Sequence, residues 1–177
     1  MMLIVILLVP TVQSYIPEFE FSKDACLQSV NSARAAFAEK FQVPNMNSLV
    51  YNEEFEKPLQ NHLDSMVRCS ENKEEYPEYM ERCREAKDDC PEPSIISLKG
   101  LEMYLSAAQD EAIYAELVSA EDATMLACVK RHCDAGDIVH YITDKAKKYH
   151  TPIIGPPGSK CPSDRVAHSN GLCVLVK

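Results

Sequence analysis

Eight cysteines, Cys26, Cys69, Cys83, Cys90, Cys128, Cys133, Cys161 and Cys173, all stand downstream of an uncharged apolar N-terminus. An even cysteine count behind such a leader reads as a disulfide framework of the secretory route, with four bridges able to consume every thiol. Each bridge that closes a loop restricts the unfolded chain and adds about 2–4 kcal/mol. The count leaves the connectivity open. The short separation of Cys161 and Cys173 suggests a small stapled loop near the C-terminus, whereas Cys128 and Cys133 either close a shorter one or reach different partners. A zinc site would recruit Cys128, His132, Cys133 and His140, but none of the regular paired spacings of structural zinc sites is present.

The leader itself is short. Met1 to Ser14 carry no charged side chain, Met1–Val9 is continuously apolar, and Pro10 breaks the run. Val12-Gln13-Ser14 then offers the short residues that signal peptidase requires. The apolar run falls far below the ~20 residues that span a bilayer as a helix. The competing reading is a buried N-terminal strand of a cytosolic protein. We expect residues 1–14 to be a signal peptide, 15–150 a folded domain, and 151–177 a cysteine-bearing extension packed on it, all extracellular.

The 177 residues are 46% apolar and 25% charged, which suits one globular domain. A domain of this size buries about 70% of its unfolded surface, enough for its own core. Acids outnumber bases, 27 to 18, for a net charge of −9. Nucleic-acid binding rests on counterion release onto basic side chains, so a DNA or RNA partner is excluded. The same sign disfavours an anionic membrane surface.

Periodicity predicts a helix over Phe21–Phe41, where Leu27, Val30, Ala33, Phe37 and Phe41 recur at helical steps behind a Ser22 cap, with Pro44 beyond its end. A second helix is predicted from Asn52 to about Ser70, its apolar face Phe55, Leu59, Leu63, Met66 and Cys69, with Pro58 bending it. Glu71 to Asp89 is rich in acids and reads as a solvated face, with a dedicated cation site as the alternative. Cys90-Pro91-Glu92-Pro93 is a rigid turn. Leu98, Leu101, Leu105, Ala108, Ala112 and Ala115 predict a further helix over Ser97–Val118. Ala123–His132, Asp137–Thr143 and Leu172–Val176 read as strands, the first two joined as a hairpin through Asp134-Ala135-Gly136-Asp137. Residues 150–171 read as an extended tail. Helices first and short strands later give an α+β class with an antiparallel sheet.

Two stretches resemble the CAP superfamily, the fold shared by cysteine-rich secretory proteins, insect antigen 5 and pathogenesis-related plant proteins. The family writes His-Asn-x-x-Arg on its first helix and Asn-Met-x-x-Leu-x-Trp-Asp before its second. Here Asn31, Arg34, Asn45, Met46 and Leu49 match, while Val30, Tyr51 and Asn52 replace His, Trp and Asp. Gly155-Pro156-Pro157-Gly158-Ser159-Lys160-Cys161-Pro162 and Gly171-Leu172-Cys173-Val174 look like the tail of secreted nematode members. The resemblance covers most of the mature chain, firmly at both ends and thinly in the middle. It implies a disulfide-stapled α-β-α sandwich around a small antiparallel sheet.

Many members of that family carry two His and two Glu in a cleft that holds a divalent metal. No His occurs from Asp64 through Lys130, where the first would lie. Leu101 replaces the acid of the Gly-Glu-Asn-x-Tyr motif, and Asp122 stands where the second His belongs. Glu116 alone survives, and a lone carboxylate does not hold zinc. The chain contains no Gly-x-Ser-x-Gly, HExxH or P-loop motif. We therefore expect a non-enzymatic extracellular protein, without metal or cofactor, that binds another protein or a lipid or sterol. The acidic surface favours a basic partner. Two alternatives stand beside it: a metal-dependent hydrolase with a site rebuilt from Glu116, Asp122, His132 and His140, and an unrelated disulfide-rich inhibitor or ligand.

Overall fold

A computed structural model describes residues 21–65, 95–105, 110–133, 136–145 and 153–176. The expected leader, the acidic run Glu71–Asp89, the Cys90–Pro93 turn and the cysteines Cys69, Cys83 and Cys90 lie outside the described residues.

The first helix, α1 (Lys23–Phe41), begins where Ser22 Oγ accepts the Ala25 N–H at 3.1 Å, with Asp24 at its positive end and Lys40 in its last turn. Gln42 ends it in the left-handed conformation, its N–H returned to the Ala38 carbonyl. The buried stripe is Cys26, Val30, Arg34 and Ala38, one residue per turn. An arginine thus occupies a place in the core stripe, while Phe41, expected on the apolar face, is exposed.

The chain then forms a short strand, β1 (Val50–Tyr51), and turns through a 3-10 segment, Glu53–Phe55, capped by Asn52 Oδ1 on the Glu54 N–H at 3.0 Å. Helix α2 (Glu56–Ser65) follows. Because the 3-10 turn precedes it, Pro58 falls in the first turn of α2, where its missing N–H has no helical partner to lose. No bend at Pro58 is called for.

The helix expected over Ser97–Val118 is replaced by a hairpin and a shorter helix. Strands β2 (Ile95–Leu98) and β3 (Leu101–Tyr104) pair antiparallel around Lys99 and Gly100, whose φ values of 52° and 85° are both left-handed. Leu98, Leu101 and Leu105 fit helical steps, but the Lys99–Gly100 turn reverses the chain between them. Helix α3 is confined to Glu111–Ser119, with Asp110 Oδ1 accepting the Ala112 and Ile113 N–H groups at 2.9 and 3.2 Å.

The later strands fall close to expectation. β4 (Met125–Cys133) and β5 (Gly136–Thr143) form an antiparallel pair from Leu126↔Thr143 to Cys133↔Gly136. The sheet order is β1-β4-β5-β3-β2, with β1 parallel to β4 and the rest antiparallel. Within the tail, β6 (Arg165–Ala167) and β7 (Cys173–Leu175) make a separate two-stranded sheet.

Side chains alternate along each strand and sort into two cores. On one face Tyr104, Leu126, Cys128 and Tyr141 pack with Cys26 and Val30 of α1 and Ile113 and Leu117 of α3. On the other, Met103, Ala127 and Ile142 pack with Leu59 and Leu63 of α2. The result is an α-β-α sandwich. A third cluster, Ala38, Met46 and Leu172, joins the end of α1 to the tail. Cys26–Cys128 bridges α1 to β4 across 102 residues and Cys161–Cys173 closes a separation of 12. Cys133 is disulfide-bonded as well.

Candidate functional site

The residues that carry the family resemblance converge on one buried joint. Asn31, on α1, accepts the Leu49 N–H through Oδ1 at 2.9 Å and donates from Nδ2 to the Leu49 carbonyl at 3.0 Å. One turn later Arg34 is wholly buried. Its Nε and Nη2 donate to the Asn47 carbonyl at 3.1 and 2.9 Å, and Nη1 donates to the carbonyls of Ala120 and Val118 at 3.0 and 3.2 Å. Those last acceptors belong to the C-terminal end of α3, where unpaired carbonyls and the helix dipole both favour a cation. Burial pulls the Arg34 guanidinium down to about 10, and it remains charged at neutral pH.

The opposite side of the same segment is held by the tail. Arg165, also buried, donates from Nη1 to the carbonyls of Ser48 and Cys173 at 3.1 and 3.0 Å. Backbone bonds Ser48 N–H to Cys173 O (2.9 Å) and Cys173 N–H to Met46 O (2.8 Å) complete the seam. Every acceptor of the two guanidinium groups named here is a backbone carbonyl. The joint clamps α1, α3 and the tail around residues 46–49.

Tyr51 and Asn52, which stand in for the family's Trp and Asp, make a second brace. Tyr51 Oη donates to the Glu56 carboxylate at 2.8 Å and accepts the Cys128 N–H at 3.2 Å. Lys23 Nζ lies 2.9 Å from Glu56 and 3.0 Å from Glu53, and 5.7 Å over the Tyr51 ring. Burial pushes the Tyr51 phenol up to about 12. This brace ties the start of α1 to α2 and β4 beside the Cys26–Cys128 bridge.

The sheet separates the positions where the family's metal ligands would stand. Leu101 packs into the core beneath α2, whereas Glu116 lies on α3, which covers the opposite face. Asp122 is half-buried in the turn after α3. These residues do not fit a divalent metal: Leu101 is apolar and lies across the sheet from Glu116, and Glu116 and Asp122 leave two carboxylates, fewer ligands than a zinc site needs. The rebuilt set fails for a similar reason. In register, His132 pairs with Asp137 and His140 with Val129, three residues apart along β4, so the two imidazoles project from opposite faces. His132 is exposed, its Nδ1 2.8 Å from the Asp137 carboxylate. Lys130 and His132 together hold that carboxyl below the ordinary range. His140 is buried, and desolvation, with Arg131 beside it, lowers its imidazole to about 4. The zinc set also lacks its thiolates, because Cys128 and Cys133 are both in disulfides. Among the described residues no group of three or more His, Cys, Asp or Glu is placed to hold a metal ion.

One polar feature escaped the sequence reading. Glu102 is buried and accepts a hydrogen bond from Ser97 Oγ across the β2–β3 hairpin. Two residues on, burial pushes the Tyr104 phenol up to about 12; Glu102 and Glu116 add to that rise, while Thr143 and Arg34 oppose it. The signal was the alternation in Leu101-Glu102-Met103-Tyr104, which a helical reading hides.

No model of a known protein family matches the chain, and no curated protein matches it in sequence. Solved structures do. The hookworm protein Na-ASP-1 superposes with a TM-score of 0.53 at 17% identity over 85% of this chain and 46% of its own. NaASP2, solved with Zn2+, gives 0.50 at 16% over 89% and 98%. A hookworm platelet inhibitor gives 0.49 at 16% over 92% and 97%. The chain thus spans less than half the length of Na-ASP-1. At such identities the likeness is one of fold. The chain has the α-β-α sandwich fold of the CAP proteins.

Proposed function

We propose that this chain is a secreted, disulfide-stapled CAP-type domain that works by binding another extracellular molecule, a protein or a lipid or sterol, and not by catalysis. Residues 1–14 are its leader, the mature chain starts near Tyr15, and 151–177 form the extension. The observation that carries the reading is the separation of ligand positions by the sheet: Leu101 and Glu116 on opposite faces, His132 and His140 likewise. Metal-assisted hydrolysis needs three or so ligands converging on one ion. The net charge of −9 favours a basic protein partner and an association that weakens with salt.

Non-reducing peptide mapping of protein secreted from a eukaryotic host, with elemental analysis of the same sample, tests this. A start near Tyr15, no free thiol and no stoichiometric zinc are expected. An uncleaved leader, or free thiols at Cys128 and Cys133, would overturn the compartment. Stoichiometric zinc that disappears in His140→Ala would restore the hydrolase.

A further inference from the structure

Net charge describes this chain as an average over two unlike parts. Residues 145–177 hold Lys145, Lys147, Lys148, Lys160, Arg165 and Lys177 against Asp164 alone, so the residues before them carry the whole of the net negative charge. Exposed apolar side chains gather in the same part. Of nine large hydrophobic residues exposed among the described ones, five (Ile153, Ile154, Val166, Leu175 and Val176) belong to 153–176.

Ile153 and Ile154 are consecutive, at 47% and 72% exposure. The Gly155 N–H donates to the Gln42 carbonyl at 2.9 Å, which sets this pair beside the end of α1, where Phe41 is 53% exposed. Lys40 Nζ stands 5.3 Å over the Phe41 ring. The Lys160 N–H bonds the Pro44 carbonyl at 3.0 Å, bringing a second exposed lysine to the same corner. Glu39 is the acid of that last turn, and the Gln42 side chain caps its carbonyl at 2.8 Å.

We propose that Phe41, Ile153 and Ile154, with Lys40 and Lys160 beside them, form an exposed apolar corner that inserts into an anionic phospholipid surface. A side chain as exposed as Ile154 belongs to no groove, and a fluid interface asks for no shaped complement. Apolar side chains enter the boundary between headgroups and acyl chains while the ammonium groups stay level with the phosphates. Charge complementarity selects anionic lipid, locally reversing what the whole-chain charge disfavours. This inference rests on the reading of the chain as an extracellular binding domain, and within it chooses lipid over protein.

The test is sedimentation of the mature full chain with vesicles of phosphatidylcholine, with and without phosphatidylserine. Binding is expected only with phosphatidylserine, and it should weaken as salt is added. Ile153→Asp and Ile154→Asp should each lower partitioning about tenfold or more. Lys40→Glu with Lys160→Glu should lower it about as much. Leu98→Asp, an equally polar change at the β2–β3 turn, should leave it unchanged, and circular dichroism checks that each variant folds. No sedimentation, or sedimentation that the isoleucine variants leave intact, overturns the proposal. So does retention on a sulfated polysaccharide that the lysine variants abolish and the isoleucine variants do not, which would assign the corner to an acidic macromolecule. These failures leave the wider reading standing, since that reading falls only with the leader, thiol and zinc results above.

Discussion

Arg34 places a full positive charge at 0% exposure with carbonyl oxygens as its hydrogen-bond acceptors. Hydrogen bonds to a charged group are worth more than neutral ones, and buried acceptors left without donors carry their desolvation penalty. The fork geometry is what allows one side chain to reach Asn47 on one side and the end of α3 on the other. A lysine is point-like and reaches only one of these. Arg34→Met is therefore expected to destabilise the protein by about 3–5 kcal/mol, and Arg34→Lys by about 2 kcal/mol. Urea unfolding followed by circular dichroism measures both. A midpoint unchanged in Arg34→Met would mean that the released carbonyls find other donors and that the joint adds nothing to stability. In the sequence, Asn31 and Arg34 were legible as motif residues, but not as core ones: a charged residue three after an asparagine reads as surface until its acceptors, Asn47 and the end of α3 more than eighty residues away, are in place.

Among the elements, the starts at Ser22 and Asn52 were read closely, whereas the β2–β3 hairpin and the later start of α3 at Asp110 were not. Ser22 and Asn52 announce their segments because a side-chain oxygen satisfies a backbone N–H that lies only two or three residues ahead. The hairpin is signalled only by Gly100, since leucines at 98, 101 and 105 serve a helix and an alternating strand equally well. Gly100 and Gly171 both have positive φ, 85° and 81°, but differ in surroundings. A Cβ at Gly100 meets nothing within 4 Å, whereas at Gly171 it would stand 2.6 Å from Pro157 Cβ. Gly100→Ala should therefore cost only the backbone strain, about 1 kcal/mol. Gly171→Ala should add overpacking to that strain, for about 2–4 kcal/mol in all. It should also expose the tail to limited proteolysis ahead of the sandwich. Equal losses in the two variants would show that Pro157 yields freely.

At the scale of the whole molecule, the two described bridges do unequal work. Cys26–Cys128 joins α1 to β4 through the first core, across 102 residues, while Cys161–Cys173 closes a separation of 12 within the tail. Restriction of the unfolded chain grows with the logarithm of loop length. Replacing both cysteines of the long bridge by alanine should cost about 5 kcal/mol, and of the short one about 3 kcal/mol. Denaturant titrations of the two double variants check the order. A larger loss from the short bridge would mean that the tail's docking through Arg165 and residues 46–48 contributes more than loop closure does.

Composition, cysteine count and the apolar leader determined the expectation of a stapled α+β domain, and the Asn31–Asn52 and Gly155–Val174 motifs determined which sandwich it resembles. These are local or additive properties: a cap, a turn residue, a net charge and a spacing can each be read without knowing what lies across the fold. Only the tertiary structure decided which residues face one another. Whether His132 and His140 share a site depends on strand register, where a shift of one residue exchanges the two faces of the sheet. The exposed corner of Phe41, Ile153 and Ile154 likewise exists because a backbone bond from Gly155 to Gln42 brings together positions more than a hundred residues apart.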